Sequence, residues 1–189
     1  MISATILAKN SEKHLEELLE SLKQFDEVLL YDNGSQDRTM EIAKRFPNCR
    51  IVEGPFSGFG PTHNKASTLA KNDWILSIDS DEIPSKELLE EINGLKLDSQ
   101  CIYSVPRKNL FNGKWIYSCG WWPDRVVRLY NKKGTQFSNA LVHESVEKKS
   151  LKEVPLKASL KHYSYDTLSD FLRKMESYST LFAEGRKGK

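Results

Sequence analysis

Two carboxylates one residue apart, Asp79 and Asp81, follow directly on an apolar run, Trp74-Ile75-Leu76-Ser77-Ile78. A run this short, partly β-branched and aromatic and bounded by polar residues, reads as a buried strand. Both acids then stand where a sheet gives way to a loop. Carboxylates this close repel each other unless a cation or a hydrogen-bonded ligand lies between them. Oxygen ligands of this kind suit Mg²⁺ or Mn²⁺, held by one or two carboxylates and the phosphates of a substrate. The competing explanation is a solvated turn leading into a helix cap.

Other polar exits weigh against the turn. Met1–Ala8 reads as a strand ending at Lys9-Asn10-Ser11, Glu27–Tyr31 as a second ending at Asp32-Asn33-Gly34-Ser35, and Arg50–Val52 as a short third. Helical patterns separate them. Leu15, Leu18, Leu19 and Leu22 follow a Ser11 cap; Met40, Ile42, Ala43 and Phe46 follow a Ser35 cap and stop at Pro47; a third helix covers about Pro61 to Lys71. Strands alternating with helices imply βαβ units and a mostly parallel, Rossmann-like sheet covered on both faces. Ligands of such sheets bind outside the carboxyl ends of the strands, and Asn10, Asp32 and Asp79 all fall at that edge.

Composition sets bounds on function. The chain has 189 residues, enough for one domain burying roughly 70% of its unfolded surface. Its net charge of 28 − 26 = +2 gives no strong field for nucleic acid. No stretch approaches the ~18 apolar residues of a membrane-spanning helix, and Met1 runs straight into a strand without a signal peptide. Cys49, Cys101 and Cys119 are odd in number and in no Cys-x-x-Cys pair, so a reducing cytoplasm is the expected compartment.

The second half has a different grammar. Cys101–Arg107 and Lys114–Ser118 read as strands around Asn112-Gly113, a type I′ hairpin signal, and Arg125–Tyr130 reads as a further strand. Leu168, Phe171, Leu172, Met175, Tyr178, Ser179 and Phe182 form a helical stripe. The expected organisation is one unit over 1–189: a nucleotide-binding half at 1–95, an acceptor-side half at 96–165 and an amphipathic C-terminal helix at 166–184. Ten Lys/Arg against six Asp/Glu from Glu147 onward would allow that helix a peripheral contact with the inner face of the cytoplasmic membrane.

Asp32-Asn33-Gly34-Ser35-x-Asp37-x-Thr39, followed by an apolar strand and Asp79-Ser80-Asp81, resembles glycosyltransferase family 2 with the GT-A fold over roughly residues 2–95. Trp122-Pro123-Asp124, Arg128-Leu129-Tyr130 and Val142-His143-Glu144 resemble a subgroup, the bacterial β-glucosyltransferases that extend the inner core of lipopolysaccharide. Members of that subgroup continue beyond the length of this chain, so a C-terminal piece after Lys189 is expected. The resemblance implies an inverting enzyme that moves a hexose, glucose by the subgroup, from a UDP-sugar to a saccharide or lipid-linked saccharide acceptor.

The resemblance also implies roles. Asp32 would accept the uracil imide proton, or else serve only as an Asx-turn residue before Gly34. Asn10 would line the nucleoside pocket or cap a helix. Asp81 would bind Mg²⁺ or Mn²⁺ directly, with Asp79 nearer the ribose or behind the metal, and the cation would neutralise departing UDP as a Lewis acid. Lys65 would add charge near the diphosphate, unless it is a solvated helix lysine. Inversion requires one general base. Glu144 is favoured and Asp124 competes, a structural ion pair with Arg125 or Arg128 being the alternative for the latter. His143 is a candidate third metal ligand or a histidine bonded within the fold. Trp121 and Trp122 are candidate sugar platforms, though core packing would account for some of the tryptophans.

Two other classes are open. A sugar-phosphate nucleotidyltransferase would need a glycine-rich loop after the first strand, and Lys9-Asn10-Ser11 has no glycine; a P-loop is absent for the same reason. A flavodoxin-like binding or regulatory module would fit the acidic strand exits but not the aromatic-rich second half, whereas a catalytically inactive nucleotide-binding relative would fit both.

Overall fold

The computed structural model describes residues 1–139 and 144–184. The first half alternates as expected: β1 (Ile2–Ala8), α1 (Glu12–Ser21), β2 (Glu27–Asp32), α2 (Thr39–Lys44), β3 (Cys49–Glu53), α3 (Phe59–Leu69) and β4 (Trp74–Asp79). A short β5 (Glu82–Pro84) and α4 (Lys86–Asn93) follow, then β6 (Cys101–Phe111), β7 (Lys114–Ile116), β8 (Asp124–Asn131), β9 (Lys152–Pro155), β10 (Leu160–Tyr165) and α5 (Leu168–Glu184).

One sheet runs through both halves, in the order β3-β2-β1-β4-β8-β6-β10-β5, with β7 and β9 also pairing to β6. From β3 to β4 every pairing is parallel, and the direction changes where β8 joins β4 antiparallel. The long strand β6 organises the second half. It takes β8 and β7 on one edge, and β9 and β10 in parallel on the other.

Side-chain alternation explains the two-faced packing. In β2, Val28 and Leu30 join a core with Leu15, Leu18 and Leu19 of α1 and Leu88 and Ile92 of α4. Leu29 and Tyr31 point the other way, into a core with Ala66 of α3, Ile75, Tyr130 and Phe137. A period-2 strand with apolar residues at every position must be covered on both faces.

The expected helix caps need correction. Ser11 occupies the N-cap position of α1 but makes no side-chain cap bond; its hydroxyl donates to Ser80 Oγ at 2.9 Å. Ser35 does not cap α2, which begins four residues later. Asp37 does that work instead, accepting from the Thr39 N–H at 3.0 Å and, on its other oxygen, from the Glu12 N–H at 3.0 Å. One carboxylate thus holds the starts of α1 and α2 together beside the strand exits. The hairpin turn is as expected: Asn112 and Gly113 have φ of 47° and 76°, both positive as a type I′ turn requires.

Helix α5 exposes Leu168, Leu172 and Met175 on one stripe. Among the described residues, no helix is long and apolar enough to cross a membrane.

Candidate active site

The parallel register β2-β1-β4 places Ala8 opposite Asp32 and Leu7 opposite Asp79, so the three exits share one edge. The buried Asp32 carboxylate is engaged by its own loop. Oδ2 accepts the N–H groups of Gly34 and Ser35, both at 3.0 Å, and Oδ1 accepts the Ser35 hydroxyl. Gly34 takes φ 94° to close this turn, a conformation glycine reaches without steric cost. The Ser35 hydroxyl also accepts from the Asn10 N–H at 2.9 Å, while Asn10 Oδ1 accepts from the Gln36 N–H at 2.8 Å. Asn10 and Asp32 therefore line one closed polar loop. A carboxylate has about four lone-pair sites; the loop uses three of those on Asp32.

Asp79 sits in a paired cluster. Its Oδ2 accepts from Arg128 Nη2, which also bonds the fully buried Glu82 Oε1. Glu82 Oε2 in turn accepts the Asp79 N–H at 3.2 Å. Asp79 Oδ1 lies 3.7 Å from His63 Nε2, and His63 Nδ1 lies 3.2 Å from the buried Ser77 hydroxyl. Burial pushes the His63 imidazole down to about 4 against the opposing pull of Asp79, so the ring is neutral at physiological pH. Burial alone would raise the Asp79 carboxyl, but the Arg128 charge, then His63 and His162, hold it below the usual carboxylate range. One Asp79 oxygen is thus already charge-paired, which suits it to a supporting place behind a metal or beside the ribose.

Asp81 differs. Its Oδ2 faces His162 Nε2 at 3.7 Å and Lys174 Nζ at 3.6 Å. The His162 tautomer follows from its neighbours. Asn109 Nδ2 is 3.0 Å from Asp124 Oδ2, and a carboxylate only accepts, so the amide nitrogen faces Asp124 and Asn109 Oδ1 faces His162. That oxygen accepts from His162 Nδ1 at 2.6 Å. That bond leaves Nε2 as the ring nitrogen on the Asp81 side. An imidazole whose second nitrogen is hydrogen-bonded in this way is the ordinary setting of a metal-ligating histidine.

The donor set fits a hard divalent ion. Among the described residues no three acidic, histidine or cysteine side chains surround one point. The chain would supply Asp81 and His162, leaving other positions for phosphate oxygens and water, as Mg²⁺ and Mn²⁺ sites usually do. His143, the expected third ligand, lies outside the described residues.

On the acceptor side, Asp124 does form an ion pair, but with Arg107 and not with Arg125 or Arg128. Arg107 Nε and Nη2 reach Asp124 Oδ2 at 2.9 and 2.8 Å, whereas Arg125 bonds the Leu156 carbonyl at 3.0 Å. Trp121 packs edge-on against Phe111 at 6.0 Å and tilts against Tyr165, and its carbonyl accepts from Asn109 at 3.3 Å. Trp122 meets the exposed Tyr117 edge-on at 6.0 Å. Both tryptophans are half-buried, so each packs against aromatic neighbours and keeps part of its surface accessible.

Glu144 lies against α3. A Cβ at Gly60 would stand 3.6 Å from Glu144 Cβ and only 1.8 Å from the Ser138 carbonyl oxygen, so the close approach of this segment requires glycine. Gly60 precedes His63 by three residues, about 4.5 Å along the helix. Helix α3 thus brings Glu144 within about one turn of the histidine that faces Asp79. Lys65, two residues beyond His63, is exposed on the opposite side of α3.

The sequence reading missed His63, Glu82, Arg107 and His162, and gave Arg128 only as an ion-pair partner of Asp124, where the structure pairs it with Asp79 and Glu82. A signal existed for Arg128: a lone arginine inside Val126-Val127-Arg128-Leu129-Tyr130 needs a buried anion. For His162 there was none, because its partners come from β6 and the β4–β5 turn.

Residues 3–148 match the model of glycosyl transferase family 2. An uncharacterized glycosyltransferase of Rickettsia bellii is 31% identical, over 98% of this chain and 69% of that protein. The lipopolysaccharide core biosynthesis glycosyltransferase LpsC of Rhizobium meliloti is 26% identical, over 97% and 70%. The solved structure of S. aureus TarS 1–349 in complex with UDP-GlcNAc matches with a TM-score of 0.62 at 20% identity, over 88% of this chain and 58% of that one, a likeness of fold. This chain therefore spans 58% of the TarS fragment. With a GT-A sheet, an acidic strand edge and a family match over most of its length, the chain belongs to glycosyl transferase family 2.

Proposed function

We propose that this transferase is an inverting hexosyltransferase acting on a UDP-sugar, with the whole described chain serving as one GT-A unit. The observation that carries the reading is the convergence, at one sheet edge, of a turn built on Asp32 and Asn10 with an Asp81–His162 pair. The first offers a base-reading acceptor, the second a place for a cation on the diphosphate. The one lone-pair site left on Asp32 would accept the uracil imide N–H. Asp79 supports from behind, held by Arg128. When bound, the divalent cation would supply Lewis-acid neutralisation of charge as UDP departs. Lys65 would assist only by long-range attraction.

Glu144 is assigned as the general base. Asp124 has one oxygen committed to Arg107 and Asn109, while Glu144 stands beside the helix that carries His63 to Asp79. Asp124, Trp121 and Trp122 then belong to the acceptor side. The likeness to LpsC supports a lipopolysaccharide-core or other lipid-linked saccharide as acceptor, and glucose is the sugar to test first. The exposed stripe of α5 offers a membrane surface apolar area and not charge, since the helix carries Arg173 and Lys174 against Asp170, Glu176 and Glu184.

The test is calorimetric titration of UDP and GDP with and without Mn²⁺, followed by a screen of UDP-sugars for hydrolysis. Uridine selectivity that depends on the metal supports the assignment. Equal affinity for GDP, or binding unchanged by EDTA, removes it.

A further inference from the structure

We propose that Arg107 is a positioning residue that couples the acceptor-side carboxylate Asp124 to the donor-side acids through the buried Glu82. This rests on the hexosyltransferase reading above and adds to it a physical link between the two substrate sites.

The link is a continuous chain of charged groups. Arg107 Nη1 reaches Glu82 Oε1 at 3.2 Å, while its Nε and Nη2 both reach Asp124 Oδ2. The same Glu82 oxygen is bonded by Arg128, which bonds Asp79. Glu82 is wholly buried, Arg128 is 6% exposed and Arg107 19%, so these pairs are little screened by water. A buried carboxylate shared by two guanidinium groups cannot shift towards one without weakening the other, and removing one partner leaves a buried charge uncompensated.

The geometry suits positioning. Arg107 and Asp124 are directly opposed in the β6–β8 register, and Asn109, two residues along β6 on the same face, also donates to Asp124 Oδ2. All these bonds fall on Oδ2. The side chain remains 28% exposed, so the carboxylate is held without being sealed off. The planar fork of arginine aims Nε and Nη2 at Asp124 Oδ2 while Nη1 reaches Glu82, a fixed division of contacts that a lysine ammonium does not reproduce. The Asp79, Glu82 and Asp124 charges against Arg107 and Arg128 sum to −1, so the cluster has no surplus positive charge to repel a cation at Asp81.

The proposal predicts energetic coupling that needs no acceptor to measure. Affinity for UDP in the presence of Mn²⁺ is determined for the parent chain, Asp124→Asn, Arg107→Lys, and the double variant, each checked by thermal melting. Asp124→Asn should weaken UDP by about threefold or more in the parent background, the scale of coupling within one charged network. In the Arg107→Lys background the same substitution should leave UDP affinity unchanged, because the fork that transmits it is gone. Arg107→Lys keeps the charge and should keep the melting temperature within a few degrees. If Asp124→Asn has the same effect in both backgrounds, or none in either, Arg107 is only a fold-stabilising pair and the proposal is wrong. A parent chain that binds no UDP overturns the functional reading and this coupling with it. Arg107→Gln serves as the second background should the lysine variant fail to fold.

Discussion

His162 Nε2 faces Asp81 Oδ2 across 3.7 Å, and the opposite ring nitrogen of His162 is bonded to Asn109, which is bonded to Asp124. With Nδ1 bonded to Asn109, Nε2 is the nitrogen left to face the acid, an arrangement in which a histidine and a carboxylate can share a cation. Lys174 supplies a positive charge to the same oxygen from α5.

His162→Ala and Asp81→Asn should each abolish the Mn²⁺-dependent part of UDP binding while leaving the fold intact. Asn109→Ala, which removes only the orienting bond, should weaken metal affinity by about 10- to 100-fold, the range for lost support of a ligand. Calorimetry with Mn²⁺ and UDP measures all three. Retention of full metal dependence in the His162 variant would exclude it as a ligand.

Asp32→Ala should weaken UDP by ~1–3 kcal/mol, the range for a lost charge-assisted hydrogen bond. Because Asp32 also organises its own turn, Asp32→Asn is the better probe: its amide oxygen can keep part of the turn, while an added N–H faces the base. Cytidine diphosphate offers an acceptor nitrogen where uracil offers a donor, so the Asn variant should lose preference for UDP over CDP. Unchanged preference would remove Asp32 from base reading.

The first half of the fold was legible because its strands and helices announce themselves locally. β1, β2, β3 and β4 begin and end within one or two residues of their apolar runs. The polar exits Asn10, Asp32 and Asp79 follow from parallel pairing alone. The second half was less legible, and for a physical reason. β5, β9 and β10 are short or mixed in character, and α4 starts from a Ser85 cap directly after β5. The pairs Arg107–Glu82, Arg128–Asp79 and His162–Asp81 join segments 25 to 81 residues apart. Nothing in local spacing encodes them. Arginines 125 and 128 were nearest to Asp124 along the chain, yet the strand register gave Asp124 to Arg107.

Stability should fall with pH through the histidine at α3. His63 is neutral in the folded chain, with its imidazole held near 4 by burial against an ordinary value of 6.5. Between those values the unfolded chain binds a proton that the folded one does not, so stability is fully present above about 6.5 and is lost as pH falls towards 4. The full span amounts to ~3 kcal/mol. Urea unfolding of the parent and His63→Gln at pH 7.5 and 4.5 isolates the effect. The parent should lose more stability than the variant between the two pH values, and equal losses would show that His63 does not carry it.

The choice of base separates two carboxylates by their surroundings. Asp124 Oδ2 is clamped by Arg107 and Asn109, a setting that holds the carboxylate in place. Under the proposed assignment Glu144, beside Gly60 and one turn of α3 from His63, would receive the proton of the attacking hydroxyl. A base acts on the acceptor and not on donor binding. Glu144→Gln should therefore leave UDP-sugar affinity nearly unchanged and lower the transfer rate by about 10²-fold or more. Asp124→Asn should lose less of that rate and raise the acceptor KM, with the modest change in UDP affinity that passes through Arg107. Steady-state transfer kinetics combined with donor titration distinguish the two. An inactive Asp124→Asn with an active Glu144→Gln would reverse the assignment. Loss of donor binding in Glu144→Gln would instead place that carboxylate on the diphosphate side of the site.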